Sequence, residues 1–284
     1  SLQSSQAFTS AAYKAQEWQP RVPATLHWTP DFMTYASVSR GVRGGGQNPP
    51  GSPNLIYRND SVWTYELGTK FSALDRRLTV SADIFYNDYK NYIGVNAIVP
   101  STLSSAAIAV NLNTGDVSSY GAEIEANFRV TRNLRLYGNL GLLHARTTDM
   151  SGFIAVTGFP LPTDKILYTA DWTGNAGASY ETPLASGSLV LDANVSAKGR
   201  RPGFSYSQAG PTFLAPYYVT NASVTYKTEH VEIGLFATNL FNEKYYVTYF
   251  DKSILGTALP PSLAYNTGVT GDRRRIGVRA SLKF

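Results

Sequence analysis

No cysteine occurs among the 284 residues, so the chain has neither a disulfide framework nor a thiolate metal site. That leaves the compartment open, although it is compatible with an oxidising periplasm or cell surface. Long hydrophobic runs are missing too. Mean hydropathy is −0.18, charged residues make up 16%, and no stretch approaches the roughly 18 apolar residues that read as a spanning helix. A helical membrane protein is thereby excluded, but a β-barrel is not, because only alternate residues of its strands meet lipid. The net charge of +5 comes with no basic run of five or more, so it reads as a mildly charged barrel interior rather than a nucleic-acid surface. The first residues, Ser1-Leu2-Gln3-Ser4-Ser5-Gln6, lack the basic start and apolar core of a signal peptide. An exported chain of this kind is expected to be processed or to be a piece of a longer one.

What the chain does have is aromatic residues, turns and alternation. Aromatics reach 13%, with 19 tyrosines, which suits the interfacial girdles of membrane barrels. In the last ten residues, Ile276, Val278, Ala280, Leu282 and Phe284 alternate with Arg275, Gly277, Arg279, Ser281 and Lys283. Strict alternation over that length means a strand with one apolar and one polar face, as in a barrel wall between lipid and a wet interior. The location it points to is a bacterial outer membrane.

Similar patterns predict strands near 17–28, 32–43, 61–72, 78–92, 116–130, 134–146, 171–181, 187–200, 216–227, 231–245 and 274–284. Short turns such as Thr29-Pro30-Asp31 and Thr131-Arg132-Asn133 alternate with long connections near 44–60, 93–115, 147–170, 201–215 and 246–273. The long connections are rich in Gly, Pro, Asn and Ser. Short turns at one end and long loops at the other are the asymmetry of a transmembrane barrel, so the chain enters from outside and its last strand runs down to the periplasmic rim. Faces are legible in several strands: Ala122, Ile124, Ala126 and Phe128 oppose Glu123, Glu125, Asn127 and Arg129, and Leu189, Leu191, Ala193 and Val195 oppose Asp192, Asn194 and Lys198. The faces of 32–43 stay unassigned, and Pro20 and Pro23 weaken the first strand. The expected fold is all-β, a transmembrane antiparallel barrel of about 11 strands. Eleven strands would start and end at opposite rims and would have to close in parallel, so the missing edge partners are expected in residues outside this sequence.

Several motifs together resemble one family. Tyr35-Ala36-Ser37-Val38-Ser39-Arg40-Gly41-Val42-Arg43, Val62-Trp63-Thr64-Tyr65-Glu66-Leu67-Gly68-Thr69-Lys70 and Arg77 through Lys90 are similar to consecutive segments of TonB-dependent outer-membrane receptors. So are Asn239-Leu240-Phe241-Asn242-Glu243-Lys244-Tyr245-Tyr246 and the ending from Gly271 to Phe284, where Asp272 replaces the usual proline. The resemblance implies that residues 1–284 are the C-terminal part of a 22-stranded barrel. The plug domain, the TonB box and the N-terminal barrel strands have no counterpart here.

The resemblance also implies a function: an active transporter in the Gram-negative outer membrane that binds a scarce large ligand outside, foremost a ferric siderophore. Energy would come from TonB through the plug. The alternatives are a passive porin-like diffusion channel and TonB-dependent uptake of a glycan, cobalamin or an aromatic compound. A barrel hydrolase is a third reading, but no convergent catalytic cluster supports an enzyme. Glu123 and Glu125 have the spacing of an acid/base pair and read more simply as wall carboxylates. His27, His144 and His230 lie far apart, so no cofactor or metal is expected. The candidate ligand contacts are Arg43, Tyr57, Arg58, Phe153, Arg200, Arg201, Phe204, Tyr206, Tyr249 and Phe250, which lie in or beside the long loops. Aromatics supply contact area and arginine a forked donor for carboxylate or catecholate oxygens. Arg275, Gly277, Ala280, Leu282 and Phe284 approximate the signal read by the barrel-assembly machinery, which captures an amphipathic edge strand by strand addition.

Overall fold

The structure, a computed structural model, describes residues 13–103, 107–161, 163–203, 212–250, 252 and 265–283. The strands β1 (Arg21–Thr29) and β2 (Phe32–Arg43) form the first hairpin, and β3 (Gly46–Gln47) pairs with β4 (Ile56–Tyr57) in the connection to β5 (Asp60–Ala73). Next come the long strands β6 (Leu78–Pro100) and β7 (Ala107–Arg129), then β8 (Leu134–Thr147), helix α1 (Ser151–Thr157), β9 (Trp172–Leu184) and β10 (Gly187–Lys198). The short pair β11 (Arg201–Pro202) and β12 (Phe213–Leu214) precedes β13 (Tyr217–Lys227) and β14 (Val231–Thr238). A further pair, β15 (Tyr246–Phe250) and β16 (Thr267–Thr270), leads into β17 (Arg275–Leu282). Eleven strands make one antiparallel meander in the order β1-β2-β5-β6-β7-β8-β9-β10-β13-β14-β17.

Each of the eleven expected strands is present, and four differences have physical causes. The first strand starts at Arg21 rather than at 17, because Glu17 and Trp18 are used otherwise: Arg40 Nη1 donates to Glu17 Oε2 at 2.9 Å and to the Trp18 carbonyl at 2.6 Å. Strand β14 stops at Thr238 rather than at 245, where Asn239 turns left-handed at φ 49°. The segment 93–115, expected as a loop, is mostly strand. Its pairing continues past bulges to Pro100↔Ala107, because Val99, Val110 and Leu112 bury themselves against Phe153 of α1 and Leu161 and Leu167 beyond it. Helix α1 itself, inside the connection 147–170, had no helical signature in the sequence.

The register resolves the two faces. One continuous face carries Val38, Tyr65, Tyr86, Tyr120 and His144 as successive cross-strand partners, with the row Ala36, Leu67, Ile84, Ala122 and Leu142 below it. The opposite face carries Tyr35, Gly68, Asp83, Glu123, Gly141, Thr173, Lys198 and Tyr217 in one row. Strand β2 thereby gains its assignment: Thr34, Ala36 and Val38 lie on the apolar face, Tyr35, Ser37 and Ser39 on the polar one.

Two aromatic levels bound the apolar face, at Tyr120 and Phe128 on β7 and at Tyr218 and Tyr226 on β13. The Tyr218 row runs through Ala197, Gly174 and Leu140 to Ile124, four residues below Tyr120 after four strand steps. The Phe128 row runs through Leu136, Ala178 and Ala193 to Ala222, four residues above Tyr226. Both levels therefore slip by about one residue per strand. With about 3.3 Å per residue and 4.8 Å between strands, that is a tilt of about 35°, the value closed barrels adopt. Each level-to-level span holds about nine residues, enough for a tilted strand to cross hydrocarbon.

On the polar face, rings lie flat over cross-strand glycines. A Cβ on Gly121 would sit 2.6 Å from Phe85, one on Gly277 2.7 Å from Phe236 and one on Gly177 2.5 Å from Tyr137, while one on Gly68 would overlap Tyr35. The missing side chain lets each ring rest on the wall instead of projecting inward.

Candidate functional site

The long connections gather at one end of the sheet, and the candidate residues there have different situations. At the top of β2, Arg43 donates through Nε (3.1 Å) and Nη2 to Asp60 Oδ2, and through Nη2 to the Ile93 carbonyl at 2.8 Å. Asp60 is 4% exposed and also accepts the Ile93 amide at 2.9 Å, while the Arg43 guanidinium lies 5.2 Å from the Tyr92 ring. Arg43 is thus committed to a rim clamp joining β2, β5 and β6. The Tyr57 ring covers Gly46 across the short ladder. The Arg58 backbone is held at both ends by Asn113, which accepts from its amide at 2.7 Å and donates to its carbonyl at 2.8 Å, leaving an exposed side chain.

Phe153 differs from the sequence expectation. At 0% exposure it fills the loop core with Ala97, Val99, Val110, Leu112, Leu161 and Leu167, edge-on to Phe159 at 5.5 Å. It presents no surface to a solute, because α1 is too short to hold its place without an anchored apolar side chain.

A third group lies above β10, β13 and β14. The Arg200 guanidinium sits 4.1 Å from the Phe213 ring. Arg201 is 3% exposed. Its Nη2 donates to the carbonyls of Tyr246 (2.8 Å) and Val247 (3.4 Å), its guanidinium lies 5.2 Å from the Tyr217 ring, and its buried Nη1 has no hydrogen-bond partner among the described residues. Tyr217 stacks on Tyr245 at 4.1 Å, and Tyr246 meets Tyr249 edge-on at 5.1 Å. Burial, then the nearby Tyr217 and Asp272, push the Tyr245 phenol up, so it stays a neutral donor. A cavity of about 450 Å³ opens here between Phe213, Pro216, Lys244, Tyr245, Tyr246 and Tyr249. The rings of Phe213, Tyr245, Tyr246 and Tyr249 and the Lys244 cation around this cavity are equipped to hold a flat, negatively charged solute.

The structure brings Arg200, Arg201 and Tyr249 together, with the Phe250 backbone in β15 beside them, and keeps Arg43, Tyr57 and Arg58 on another part of the rim. Phe204 and Tyr206 lie outside the described residues. Sequence reasoning missed Lys198, Tyr217 and Tyr245, which it had placed within wall strands. Their alternation alone could not show that the loops fold down over the strand ends. It also left the motif around Asn239 without a physical role. Asn239 is 2% exposed; its Nδ2 donates to the Glu243 and Asp272 carbonyls (2.9 and 2.8 Å) and its Oδ1 accepts the Glu243 amide (2.7 Å). One side chain therefore ties the end of β14 to the segment entering β17.

Other sequence candidates stay apart. His144 packs on Tyr120 at 5.0 Å, whereas His27 lies on β1 and His230 in the turn before β14. Glu123 faces Asp83 across the strand pair, and Glu125 accepts from Asn127 Nδ2 at 3.3 Å. Among the described residues no group of three His, Cys, Asp or Glu is placed to hold a metal ion. Arg275, Gly277, Ala280 and Leu282 lie on β17, whose other edge is unpaired among the described residues; Phe284 lies outside them.

Comparison with known proteins gives the same architecture. The family profile described as TonB dependent receptor-like, beta-barrel, matches residues 2–240. Among solved structures, the ferric yersiniabactin uptake receptor FyuA from Yersinia pestis superposes with a TM-score of 0.72 at 17% identity, over 94% of this chain and 37% of that one. The siderophore receptor PiuA from Acinetobacter baumannii gives 0.66 at 18%, over 92% and 35%. The copper transporter OprC gives 0.67 at 14%, over 94% and 39%. The chain thus spans little more than a third of the length of these structures. Its eleven-stranded sheet is a portion of the barrel wall of such proteins, and the chain belongs to the TonB-dependent receptor family.

Proposed function

We propose that this chain forms the C-terminal part of the wall and the extracellular mouth of an outer-membrane active transporter that captures an anionic ferric siderophore. TonB, acting through a plug domain, would drive the ligand into the periplasm. The observation that carries the reading is the cavity between Phe213, Lys244, Tyr245, Tyr246 and Tyr249 at the loop end of the wall, with Arg200 against the Phe213 ring and Arg201 bonded to the Tyr246 carbonyl beside it. Catecholate and carboxylate ligands offer the flat oxyanions that guanidinium forks and tyrosine faces complement. The family of transporters to which the chain belongs, and the ferric-ligand receptors among its structural relatives, support the same reading. The apolar belt would face outer-membrane lipid, and β17 would be the strand presented to the barrel-assembly machinery. The chain itself performs no bond chemistry.

The test is uptake of radiolabelled iron presented as catecholate, carboxylate or hydroxamate chelates, in cells with this receptor as the sole route, with and without TonB. Saturable uptake of an anionic chelate that stops without TonB is the expected outcome. Uptake that persists without TonB would establish a diffusion channel instead. TonB-dependent growth on a non-iron nutrient, with no iron uptake, would replace the siderophore.

A further inference from the structure

Three arginines stand side by side at the turn end of the wall, the end opposite the loops. Arg129, the last residue of β7, is the cross-strand partner of Arg135 on β8. On its other side the Arg129 amide donates to the Arg77 carbonyl at 2.8 Å, which brings Arg77 next to it at the foot of β6. The row spans about 10 Å, at about 4.8 Å per strand. Leu78, Phe128 and Leu136 hold the apolar face at this level, so strand alternation puts Arg129 and Arg135 on the polar one. All three arginines are exposed, and so is Arg132 in the turn that joins β7 to β8.

The row lacks a counter-charge. Among the described residues no carboxylate is ion-paired to Arg77, Arg129, Arg132 or Arg135, whereas Arg76 pairs with Asp31 at 2.8 Å and Arg275 with Asp272 at 2.9 Å. The carboxylates nearest along the polar face accept from neutral donors instead: Glu125 from Asn127 Nδ2 at 3.3 Å, Glu181 from Ser188 Oγ at 2.7 Å and Asp192 from the Tyr137 hydroxyl at 3.3 Å. Arg77 spends one N–H on the Leu74 carbonyl, and Arg135 lies 5.4 Å from the Tyr137 ring, which leaves most of their donors open. Like charges directly opposite one another destabilise a sheet, so folding alone does not account for the row.

We propose that Arg77, Arg129 and Arg135 form a docking row for a multivalent oxyanion, a solute whose carboxylate or phosphate groups lie about 5–10 Å apart, the spacing of one to two strands. The inference rests on the function proposed above, under which this end opens to the periplasm, and goes beyond it by giving the wall a second anion site at the exit. Guanidinium forks accept either oxyanion, and three in a line favour two or three charges on one molecule over a single charge. Because the row is exposed and screened by salt, it holds the solute weakly and lets it leave, as an exit requires.

The test uses the purified full-length receptor with citrate, tripolyphosphate and, as the monovalent comparison, acetate, all at one ionic strength. Phenylglyoxal labelling read by mass spectrometry reports Arg129 and Arg135 separately. Citrate or tripolyphosphate should protect both in a saturable manner while acetate does not, and the better protector tells a polycarboxylate from a polyphosphate ligand. Protection by neither, or equal protection by acetate, overturns the proposal. Arg129→Gln should weaken the protecting probe about fivefold, read at Arg135, which is the scale of one exposed charge pair. The same variant should keep or raise the heat stability of the barrel, because it removes a repulsion. Unchanged affinity at Arg135 sinks the row. A loss of heat stability with no protection by any probe assigns the row to an acidic segment of the receptor itself and overturns the solute site. Absent protection in a receptor that still takes up an anionic iron chelate through TonB refutes the docking row alone; protection in a receptor without such uptake refutes the transport reading alone.

Discussion

Replacing Asp60 by alanine should unlatch the loop-end rim of the wall without disturbing the wall strands below it. The Asp60 carboxylate is 4% exposed and accepts the Ile93 amide at 2.9 Å together with two donors of Arg43. Truncation strands the Ile93 N–H in a buried position, at about 1–3 kcal/mol. The Arg43 side chain is half exposed and keeps its bond to the Ile93 carbonyl, so losing the ion pair adds no more than about 1 kcal/mol. A total near 3 kcal/mol raises the local opening equilibrium about a hundredfold. Asp60→Asn, which retains an acceptor for Ile93, should cost only about 1 kcal/mol. Amide exchange of the peptide containing Ile93, followed by mass spectrometry in the purified receptor, reads this opening directly. As a control, Arg76→Ala removes the exposed bridge to Asp31 at the opposite rim and should change exchange there less than about fivefold. Exchange at Ile93 in the alanine variant within threefold of wild type would refute the reasoning.

Three further outcomes follow from the same geometry. Phe153→Ala should cost the loop core about 3–5 kcal/mol, read as accelerated tryptic cleavage at Lys165 while the wall strands stay protected. Gly68→Val should lower the folded fraction seen by heat-modifiable gel mobility, at about 1–3 kcal/mol, because its side chain overlaps Tyr35; Tyr35→Ala in the same chain should restore part of it, and a purely additive loss would contradict the ring-over-glycine account. Hydrogen bonds from Arg40, then Asn59, hold the Glu17 carboxyl below the usual glutamate range. The docking of residues 13–20 on β2 is therefore fully supported above that range and lost as pH falls through the lowered value. Exchange in that segment, corrected for intrinsic rates between pH 7 and 3, should rise with acid in wild type and stay flat in Glu17→Gln.

The wall was legible in the sequence because a barrel strand repeats one signal every two residues, and a slip by one would put Glu123 or Asp192 into the apolar face. Turns such as Thr131-Arg132-Asn133 marked the strand ends for the same reason. The tops of the long strands were not legible. Gly94, Asn111 and Asn113 read as loop residues, but they sit beside bulges in a hairpin that continues, and its stability comes from contacts with α1 and the segment after it, distant in sequence. At the candidate site, composition alone could not separate Arg200 from Arg201, adjacent residues of which one stacks openly on Phe213 and the other is enclosed. Nor could it tell Phe153, which supports a loop, from the aromatic residues that line the mouth.

The one-residue slip per strand turns the polar face into a ramp. From Lys198 the line of cross-strand partners passes through Thr173 and Gly141 to Glu123 and Asp83. At β13 this line lies at the upper aromatic level, and by β7 it has dropped about 8 Å below it, given about 3.3 Å per residue and the strand tilt. The sign of the charge reverses on the way, from a lysine beside an arginine to a glutamate facing an aspartate. An anion resting at the rim therefore stands in a well, with a repulsive slope beneath it on this side of the wall. On this part of the wall the attraction for an anion is therefore confined to the rim and is opposed at the level of Glu123 and Asp83.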